Sequence, residues 1–239
     1  MLMELIRGGF SGTLLVDILI SIPIILFSLT IHECSHAFAA YKLGDPTARN
    51  LGRLTLNPLK HLDPIGTILM LLFGFGWAKP VPINTRYFKN PKKGMAVSAL
   101  AGPVSNLILS FVGFFIYFGL NSWLKVFTYY NGLSYYDSSR PVAYFAVMFF
   151  YLIASMNITL AIFNLLPVPP LDGSRILLVV LPTRTYFNIM KYEQYIYIAL
   201  IVLLASGATS GILSKITGLF VGPLGSSNGL FGAFSSLIF

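Results

Sequence analysis

The sequence predicts an all-α membrane protein, a polytopic bundle of about four to six transmembrane helices with a short re-entrant or β-hairpin segment after the first helix. Of its 239 residues, 56% are hydrophobic and only 10% are charged, whereas soluble domains carry about 25% charged residues. Several apolar stretches also approach the roughly 20 residues that cross a hydrocarbon core as a helix. We therefore treat residues 1–239 as a single integral membrane domain.

The first predicted helix covers residues 14–43, apolar through Phe27 and polar near its end, with a kink at Pro23. At about 1.5 Å per residue this helix is longer than a bilayer core of about 30 Å. Its polar end is therefore expected near one membrane surface. The run Gly-Asp-Pro at residues 44–46 ends the helix.

Residues 46–94 hold five X-Pro turn signals, which end at Pro58, Pro64, Pro80, Pro82 and Pro91. Within them, the apolar run of residues 65–78 is too short to span a membrane. This run is predicted to dip into the membrane as re-entrant structure or to form short strands buried against helices. Non-helical backbone at that depth implies a protein-lined or water-filled cavity beside it.

Further spans are predicted at residues 95–120 and 141–163, with a polar, tyrosine-rich loop between them. A short helix follows Gly173, and residues 195–204 form another apolar stretch. The core of the domain is thus expected at about residues 14–205. The C-terminal segment, residues 206–239, is apolar and rich in Gly and Ser, and its pattern does not distinguish a span from a surface segment.

The basic residues predict how the chain is oriented in a cell membrane. The formal net charge is +8, and nine of the 16 Lys and Arg residues lie between the first and second long apolar segments. Loops rich in Lys and Arg face the cytoplasm, so the polar end of the first helix is expected on that side. These residues form no basic face interleaved with aromatic platforms, which argues against a nucleic-acid partner. The nine residues are Lys42, Arg49, Arg53, Lys60, Lys79, Arg86, Lys89, Lys92 and Lys93.

The strongest chemical signal is the motif HECSH at residues 32–36. His32 and His36 stand at positions i and i+4, so one helical face presents both imidazoles to a single Zn²⁺ ion. Glu33 is one step round the helix, where it is placed to hold and deprotonate a water activated by the metal rather than to bind the metal. The motif therefore predicts a catalytic zinc site in the membrane.

A catalytic zinc takes three protein ligands and keeps one position open, so a third ligand is expected. Asp172 has the best context, because three prolines precede it and present its carboxylate on irregular backbone beside the start of a helix. His61 is a weaker candidate, since it lies in a turn-rich segment without a helical partner. The other acidic residues considered have poorer contexts: Glu4, Asp17, Asp45, Asp63, Asp137 and Glu193.

HECSH at residues 32–36 and NLLPVPPLDG at residues 164–173 together resemble the site-2 protease family of intramembrane zinc metalloproteases. The resemblance extends over roughly residues 25–180 and includes AGPVSN at residues 101–106. It implies that His32, His36 and Asp172 hold one zinc ion and that Glu33 is the general acid and base. It also implies a minimal catalytic core, because no segment between the motifs has room for a PDZ or CBS domain.

Two amides near predicted span ends are candidate substrate-binding residues, Asn106 and Asn164. Either side chain is able to hydrogen-bond an extended substrate strand or the oxyanion that forms when water attacks. The resemblance favours Asn164 in substrate binding. A structural role, in which the amide caps or crosslinks helices, is the alternative for both residues.

These features favour an intramembrane zinc metalloprotease that hydrolyses peptide bonds of transmembrane or membrane-associated proteins. Its partners would be such a substrate and the lipid bilayer, and the sequence leaves open a homo-oligomer or a regulatory membrane partner. The alternatives are a membrane metal-ion transporter and a membrane scaffold with structural zinc. A transporter has no need of Glu33 and often shows repeated halves, and we find no repeat in this sequence. A structural zinc site usually has four protein ligands.

Overall fold

The computed structural model describes residues 12–73, 76–130, 133–136, 139–206 and 211. Its helices are α1 (Gly12–Lys42), α2 (Thr47–Asn50), α3 (Pro64–Phe73), α4 (Pro91–Leu124), α5 (Pro141–Leu165), α6 (Asp172–Val180), α7 (Thr183–Met190) and α8 (Glu193–Ala205). Two 3₁₀ turns, Pro58–Lys60 and Thr85–Tyr87, and two strands, β1 (Phe127–Tyr130) and β2 (Leu133–Tyr136), complete the described elements. The chain is therefore mostly helical, as predicted. The predicted C-terminal segment lies, apart from residues 206 and 211, outside the described residues.

Three of the described helices contain stretches long and apolar enough to cross a membrane: Ile20–Lys42, Pro91–Leu124 and Pro141–Leu165. A fourth span results if the pair Arg184–Met190 and Glu193–Leu204, bent by 53°, is counted as one. Length and composition thus give three or four spans in the described part of the chain, where the sequence predicts about four to six. The prediction of a helical membrane protein is confirmed at this level.

The described residues of the segment predicted as re-entrant structure or strands include a helix, α3. Asp63 begins α3, because its Oδ1 accepts a hydrogen bond of 2.9 Å from the N–H of Gly66 and Pro64 suits the first helical turn. Leu62 and Ala78 then form an isolated antiparallel bridge that brings the chain back past the start of α3. This helix has ten residues. The described residues of α3 therefore do not form the predicted strands, and re-entry of this helix into the membrane stays a prediction.

The antiparallel hairpin of the described chain lies elsewhere, between α4 and α5. β1 and β2 pair with Phe127 opposite Tyr136 and Tyr130 opposite Leu133. The sequence analysis predicts a polar loop at this place. Aromatic residues and threonine favour extended backbone, and four of them in succession at residues 127–130 explain why the loop is a hairpin.

α4 is the central helix, and it packs against α1, α5 and α6. Small residues let neighbouring helices approach closely in a membrane, while apolar side chains face the lipid. The buried face of α4 includes Ser98, Gly102, Asn106, Ser110 and Gly113. The exposed face includes Val104, Leu107, Ile108, Phe111 and Phe115. Because the small residues point inward, α4 lies close enough to α1 to contact the HECSH motif.

A buried polar contact joins α5 to α1. Nδ2 of Asn157 donates a hydrogen bond of 2.8 Å to Oγ of Ser28, and that hydroxyl donates to the carbonyl oxygen of Ile24. Asn157 and Ser28 are both fully buried. Hydrogen bonds between helices stabilise membrane bundles, where an unpaired polar group is costly. This contact fixes α5, which leads into the loop before Asp172, against the helix that carries the histidines.

Candidate metal centre

Both histidines of the HECSH motif are buried on the inward face of α1. His32 and His36 are one helical turn apart, and the two residues are only 4% and 6% exposed. Their rings meet edge to face with centroids 4.6 Å apart. The two Nε2 atoms lie 3.0 Å from each other, so both nitrogens are close enough to bind the same ion.

Asp172 comes from the first residue of α6, after an irregular loop that follows α5. Close packing of this loop depends on Gly173, because a Cβ atom there would collide with the carbonyl oxygens of Leu165 and Leu166. Ser174 steadies the turn, since its backbone N–H and its hydroxyl both donate to the carbonyl oxygen of Leu171. The start of α6 is therefore held against the end of α5 with the Asp172 carboxylate facing α1.

Asp172 completes a triangle of donor atoms. Its Oδ2 lies 3.1 Å from Nε2 of His32 and 3.2 Å from Nε2 of His36. Among the described residues, these three form a group whose ligand atoms all lie within 4.8 Å of one another. A tetrahedral zinc ion with bonds of about 2.1 Å separates its ligand atoms by about 3.4 Å. The buried Oδ2 also lacks a hydrogen bond of suitable geometry to any described residue, so the donor set fits a single zinc ion.

The charge states of the donors also suit a metal. Burial acts to raise the pKa of the Asp172 carboxyl, but the facing imidazoles of His32 and His36 outweigh burial and hold that pKa well below its usual range. Nδ1 of His36 lies 2.7 Å from the carbonyl oxygen of Ser98. A carbonyl only accepts, so Nδ1 donates a proton to Ser98, and Nε2 is the ring nitrogen left to bind an ion.

Glu33 is buried beside the donor triangle but is not part of it. The residue is 9% exposed. Its Oε2 accepts a hydrogen bond of 2.9 Å from the backbone N–H of Val81, a residue in the extended segment before the 3₁₀ turn at Thr85–Tyr87. The carboxylate is therefore held by one oxygen, which suits a group that exchanges protons rather than a metal ligand.

Gly102 of α4 forms the wall of the site. A Cβ atom at this position would lie 2.5 Å from Cε1 of His36 and 2.6 Å from Cε1 of His32. Ordinary van der Waals contact begins near 3.4 Å, so no residue with a Cβ fits while the imidazoles stay in place. Glycine is therefore required here for close approach of α4 to the donor atoms.

The other residues singled out by sequence lie outside the donor triangle. His61 is buried and its Nε2 lies 2.9 Å from the carbonyl oxygen of Thr55. Nδ2 of Asn164 donates to the carbonyl oxygen of Leu160 in its own helix. Asn106 is fully buried, and its Nδ2 has no hydrogen-bond partner among the described residues. The substrate roles of the two amides stay predictions.

Sequence reasoning missed three contributors to the site: Ser98, Gly102 and Val81. Ser98 and Val81 act through backbone atoms. The residue type does not reveal which backbone atoms take part in a site. Gly102 belongs to the AGPVSN segment at residues 101–106. In the sequence, that segment contributes only to the family resemblance and does not indicate a contact with the histidines. A glycine in an apolar span is the signal by which its close approach could have been predicted.

Fold and site together define a helical membrane protein with a candidate metal centre of the HExxH type. Comparison with known protein families matches residues 20–206 to Peptidase family M50. The chain belongs to Peptidase family M50. The resemblance to the site-2 protease family is thereby confirmed.

Individual relatives agree with this assignment. The chain is 43% identical over 193 residues to "Putative zinc metalloprotease YwhC" of Bacillus subtilis (strain 168), a match that covers 79% of this chain and 81% of the relative. It is 29% identical over 189 residues to "Putative zinc metalloprotease Rip2" of Mycolicibacterium smegmatis, covering 77% of this chain and 65% of the relative. Rip2 of Mycobacterium tuberculosis (H37Rv) is also 29% identical, over 78% of this chain and 66% of the relative. A search of solved structures gives no match.

Proposed function

We propose that this protein is an intramembrane zinc metalloprotease that hydrolyses peptide bonds of transmembrane or membrane-associated proteins. One observation carries the proposal: the donor atoms of His32 and His36, in a helix of membrane-spanning length, converge with a carboxylate oxygen of Asp172 beside Glu33. Membership of Peptidase family M50 supports peptide-bond hydrolysis as the reaction. The names of the relatives support zinc as the metal.

His32, His36 and Asp172 would hold one zinc ion through two imidazole nitrogens and one carboxylate oxygen, the donor set of many catalytic zinc sites. Zinc bound there would supply Lewis acidity, which polarises a carbonyl group and makes a water molecule more acidic. Ser98 orients the imidazole of His36 through its carbonyl oxygen. Gly102 keeps space open for both rings.

Glu33 acts as the general base and then as the general acid. Its carboxylate takes a proton from the water whose oxygen forms the new bond to the scissile carbonyl carbon. It returns that proton to the amide nitrogen as the carbon–nitrogen bond breaks, so the products are a carboxylic acid and an amine. The hydrogen bond from Val81 occupies Oε2 of Glu33, and this leaves Oε1 to exchange the proton.

Asn164 and Asn106 are the proposed substrate-binding amides. In the structure, Asn164 donates to its own helix, a bond that it can exchange for one to a substrate carbonyl. The amide nitrogen of Asn106 is buried without a described partner. Either amide would steady the oxyanion that develops during attack.

The substrate must present an extended backbone to the site. A transmembrane helix hides its peptide bonds in its own hydrogen bonds, so the segment to be cut has to unwind first. We propose that the segment from α3 to the 3₁₀ turn at Thr85–Tyr87 re-enters the membrane beside the site, where a water-filled cavity allows non-helical backbone. Its extended part offers backbone groups to an unwound substrate.

Cleavage of matched substrates tests this reaction. Purified protein in detergent is given a transmembrane helix with or without a Gly or Pro near the cut site, before and after removal of metal by a chelator. We expect cleavage to stop on chelation, to return with added Zn²⁺ and to be faster for the helix with the breaker. Cleavage that survives chelation would rule out the zinc protease, and equal rates for both substrates would rule out the unwinding step.

The metal-ion transporter and the structural zinc scaffold are the rival functions. A transporter has no need of Glu33 and should keep its metal flux into vesicles when Glu33 is changed, whereas a protease should lose cleavage. A structural zinc site should have a fourth protein ligand, and the group of donors among the described residues has three members. X-ray absorption of the zinc-loaded protein separates the structural site from the other two functions by the number of protein ligands.

We propose that residues 1–239 form one integral membrane protease domain with its core at about residues 14–205. The active site is placed toward the cytoplasmic side of the cell membrane, because the basic segment that follows α1 is expected to face the cytoplasm. The substrate and the lipid bilayer are the partners that follow from the reaction. A homo-oligomer or a regulatory membrane partner stays compatible with it.

A further inference from the structure

An extended segment, which we call the strap, passes beside the metal centre. The strap comprises residues 78–84, between the bridge to Leu62 and the 3₁₀ turn at Thr85–Tyr87. Two of its residues are prolines, Pro80 and Pro82, which fix their own φ angles and carry no N–H. Val81 lies between them, so its N–H is an isolated donor in the middle of the strap.

Both ends of the strap are tied to the segment that follows α1. At the first end, the N–H of Lys79 donates to the carbonyl oxygen of His61 at 2.8 Å. At the other end, the N–H of Asn84 donates to Oδ2 of Asp45 at 2.7 Å. Asp45 is fully buried, and its other carboxylate oxygen accepts from Thr47. The ends are therefore anchored by contacts that do not involve the metal centre.

The middle of the strap is held by a buried arginine. Arg53 is 8% exposed, and its Nη2 donates to the carbonyl oxygens of Lys79 and Pro80 at 2.5 and 3.3 Å. A buried guanidinium usually faces a carboxylate, but this one donates to two backbone carbonyl oxygens. A charge removed from water needs strong compensation. The guanidinium of Arg53 therefore fixes two consecutive peptide groups of the strap.

Arg53 and Glu33 hold opposite sides of one peptide group. The carbonyl of Pro80 and the N–H of Val81 belong to the same planar unit. Arg53 donates to its oxygen at 3.3 Å, and its nitrogen donates to Oε2 of Glu33 at 2.9 Å. A cation on the oxygen of a peptide group polarises it and strengthens its N–H as a donor. The arginine therefore sets both the position and the donor strength of the group that holds the Glu33 carboxylate.

We propose that Arg53 is a positioning residue that acts through the Pro80–Val81 peptide group to orient the Glu33 carboxylate for proton transfer. The inference rests on the proposed role of Glu33 as general acid and base. Arg53 touches neither the donor atoms of the metal centre nor, by this account, the substrate. It acts on the turnover step, because a proton-transfer group that is misplaced by about 1 Å can lose about 10²-fold in rate.

Kinetics of three variants test the proposal. Arg53→Met keeps the length of the side chain but loses its charge and its donors, Arg53→Lys keeps a single point charge, and Arg49→Met is the matched control. Arg49 is an exposed arginine that contacts Tyr41. All rates are divided by the zinc content of each preparation. We expect kcat of Arg53→Met to fall by about 10²-fold with KM unchanged, Arg53→Lys to recover part of the loss, and Arg49→Met to match wild type.

Amide exchange at Val81 gives a readout that does not depend on catalysis. Because Pro80 and Pro82 have no N–H, the difference in deuterium uptake between overlapping peptides with and without residues 80–82 reports the Val81 amide. We expect this amide to be protected in wild type and in Arg49→Met, and to exchange faster in Arg53→Met. Wild-type kcat together with wild-type exchange in Arg53→Met would overturn the proposal.

A second variant covers the case in which Arg53→Met does not fold. Val81→Pro removes the donor to Glu33 and leaves Arg53 in place, and we expect the same fall in kcat at normal zinc content. Wild-type kcat for Val81→Pro would overturn the proposal. If Glu33→Gln cuts as fast as wild type, the proposed function is wrong. If Glu33→Gln is inactive and Arg53→Met is fully active, only the role of Arg53 is wrong.

Discussion

Gly102→Ala adds one methyl group at the point where α4 meets the metal centre. The added Cβ would stand 2.5 Å from Cε1 of His36 and 2.6 Å from Cε1 of His32. Ordinary contact begins near 3.4 Å, so the rings or the helix would have to retreat by about 0.8 to 0.9 Å. A zinc site tolerates deviations of about 0.2 Å in its ligand distances. The retreat is several times larger than the site can absorb.

We therefore expect Gly102→Ala to weaken zinc binding by about 10- to 100-fold or more, the range measured when the surroundings of metal ligands are disturbed. Activity should fall in parallel, because the same rings would no longer hold the ion. Zinc affinity is measured by competition with a chelator of known affinity, and cleavage is measured on the same preparation at saturating zinc.

Gly113→Ala is the matched control for this variant. Gly113 lies on the same helix, and a Cβ there would stand 3.0 to 3.2 Å from atoms of Ala154 in α5. The control disturbs helix packing without touching an imidazole, so its zinc affinity should stay close to wild type. Wild-type zinc affinity in Gly102→Ala, or an equal loss in both variants, would refute the reasoning from ring contact.

Four further substitutions test the metal ligand, the helix contact and the two candidate substrate-binding amides. Asp172→Ala should purify with little zinc, since two imidazoles alone bind the ion weakly; metal analysis checks this, and a full complement of zinc would contradict it. Asn157→Ala should lower the free energy of unfolding in detergent by about 1 kcal/mol through loss of the bond to Ser28, with zinc affinity unchanged; a stability equal to wild type would show that the contact is unimportant. Asn164→Ala should lower kcat/KM by about 10-fold through loss of one hydrogen bond to substrate, and the same measurement on Asn106→Ala shows which amide acts. Wild-type kcat/KM in both would exclude the two residues from substrate binding.

The donor residues could be predicted from sequence because their signals are local. His32 and His36 are one helical turn apart, so the helical repeat alone places them on one face. Asp172 follows three prolines that end α5, and helix breakers of this kind are visible in the residue types. The long helices were predictable for a similar reason, since apolar length alone marks α4 and α5 as spans.

The support of the site could not be predicted, because it joins backbone atoms to residues far away in the chain. The N–H of Val81 and the carboxylate of Glu33 are 48 residues apart. The carbonyl of Ser98 and the ring of His36 are 62 residues apart. Every residue except proline offers the same backbone groups, so the residue type does not reveal which of them will hold a catalytic side chain.

Two differences between prediction and structure also have physical causes. Of the two alternatives for residues 65–78, re-entrant structure or strands, the strands differ from the structure, because the cap formed by Asp63 begins a helix there. The loop before α5 contains enough aromatic residues to pair as β1 and β2. In both places a short local signal decides the form, which the length or the overall polarity of a segment does not reveal.

The role of Glu33 as general acid and base at a zinc site is tested by comparing wild type with Glu33→Gln. Both proteins are purified side by side in one detergent, and their zinc content and their cleavage of a transmembrane substrate are measured. Glutamine keeps the size of the side chain and an oxygen that accepts from Val81, but it cannot take a proton from water. We expect about one zinc ion per chain in both proteins and cleavage by wild type alone. Cleavage by Glu33→Gln at the wild-type rate, or no cleavage by zinc-loaded wild type, would contradict this role.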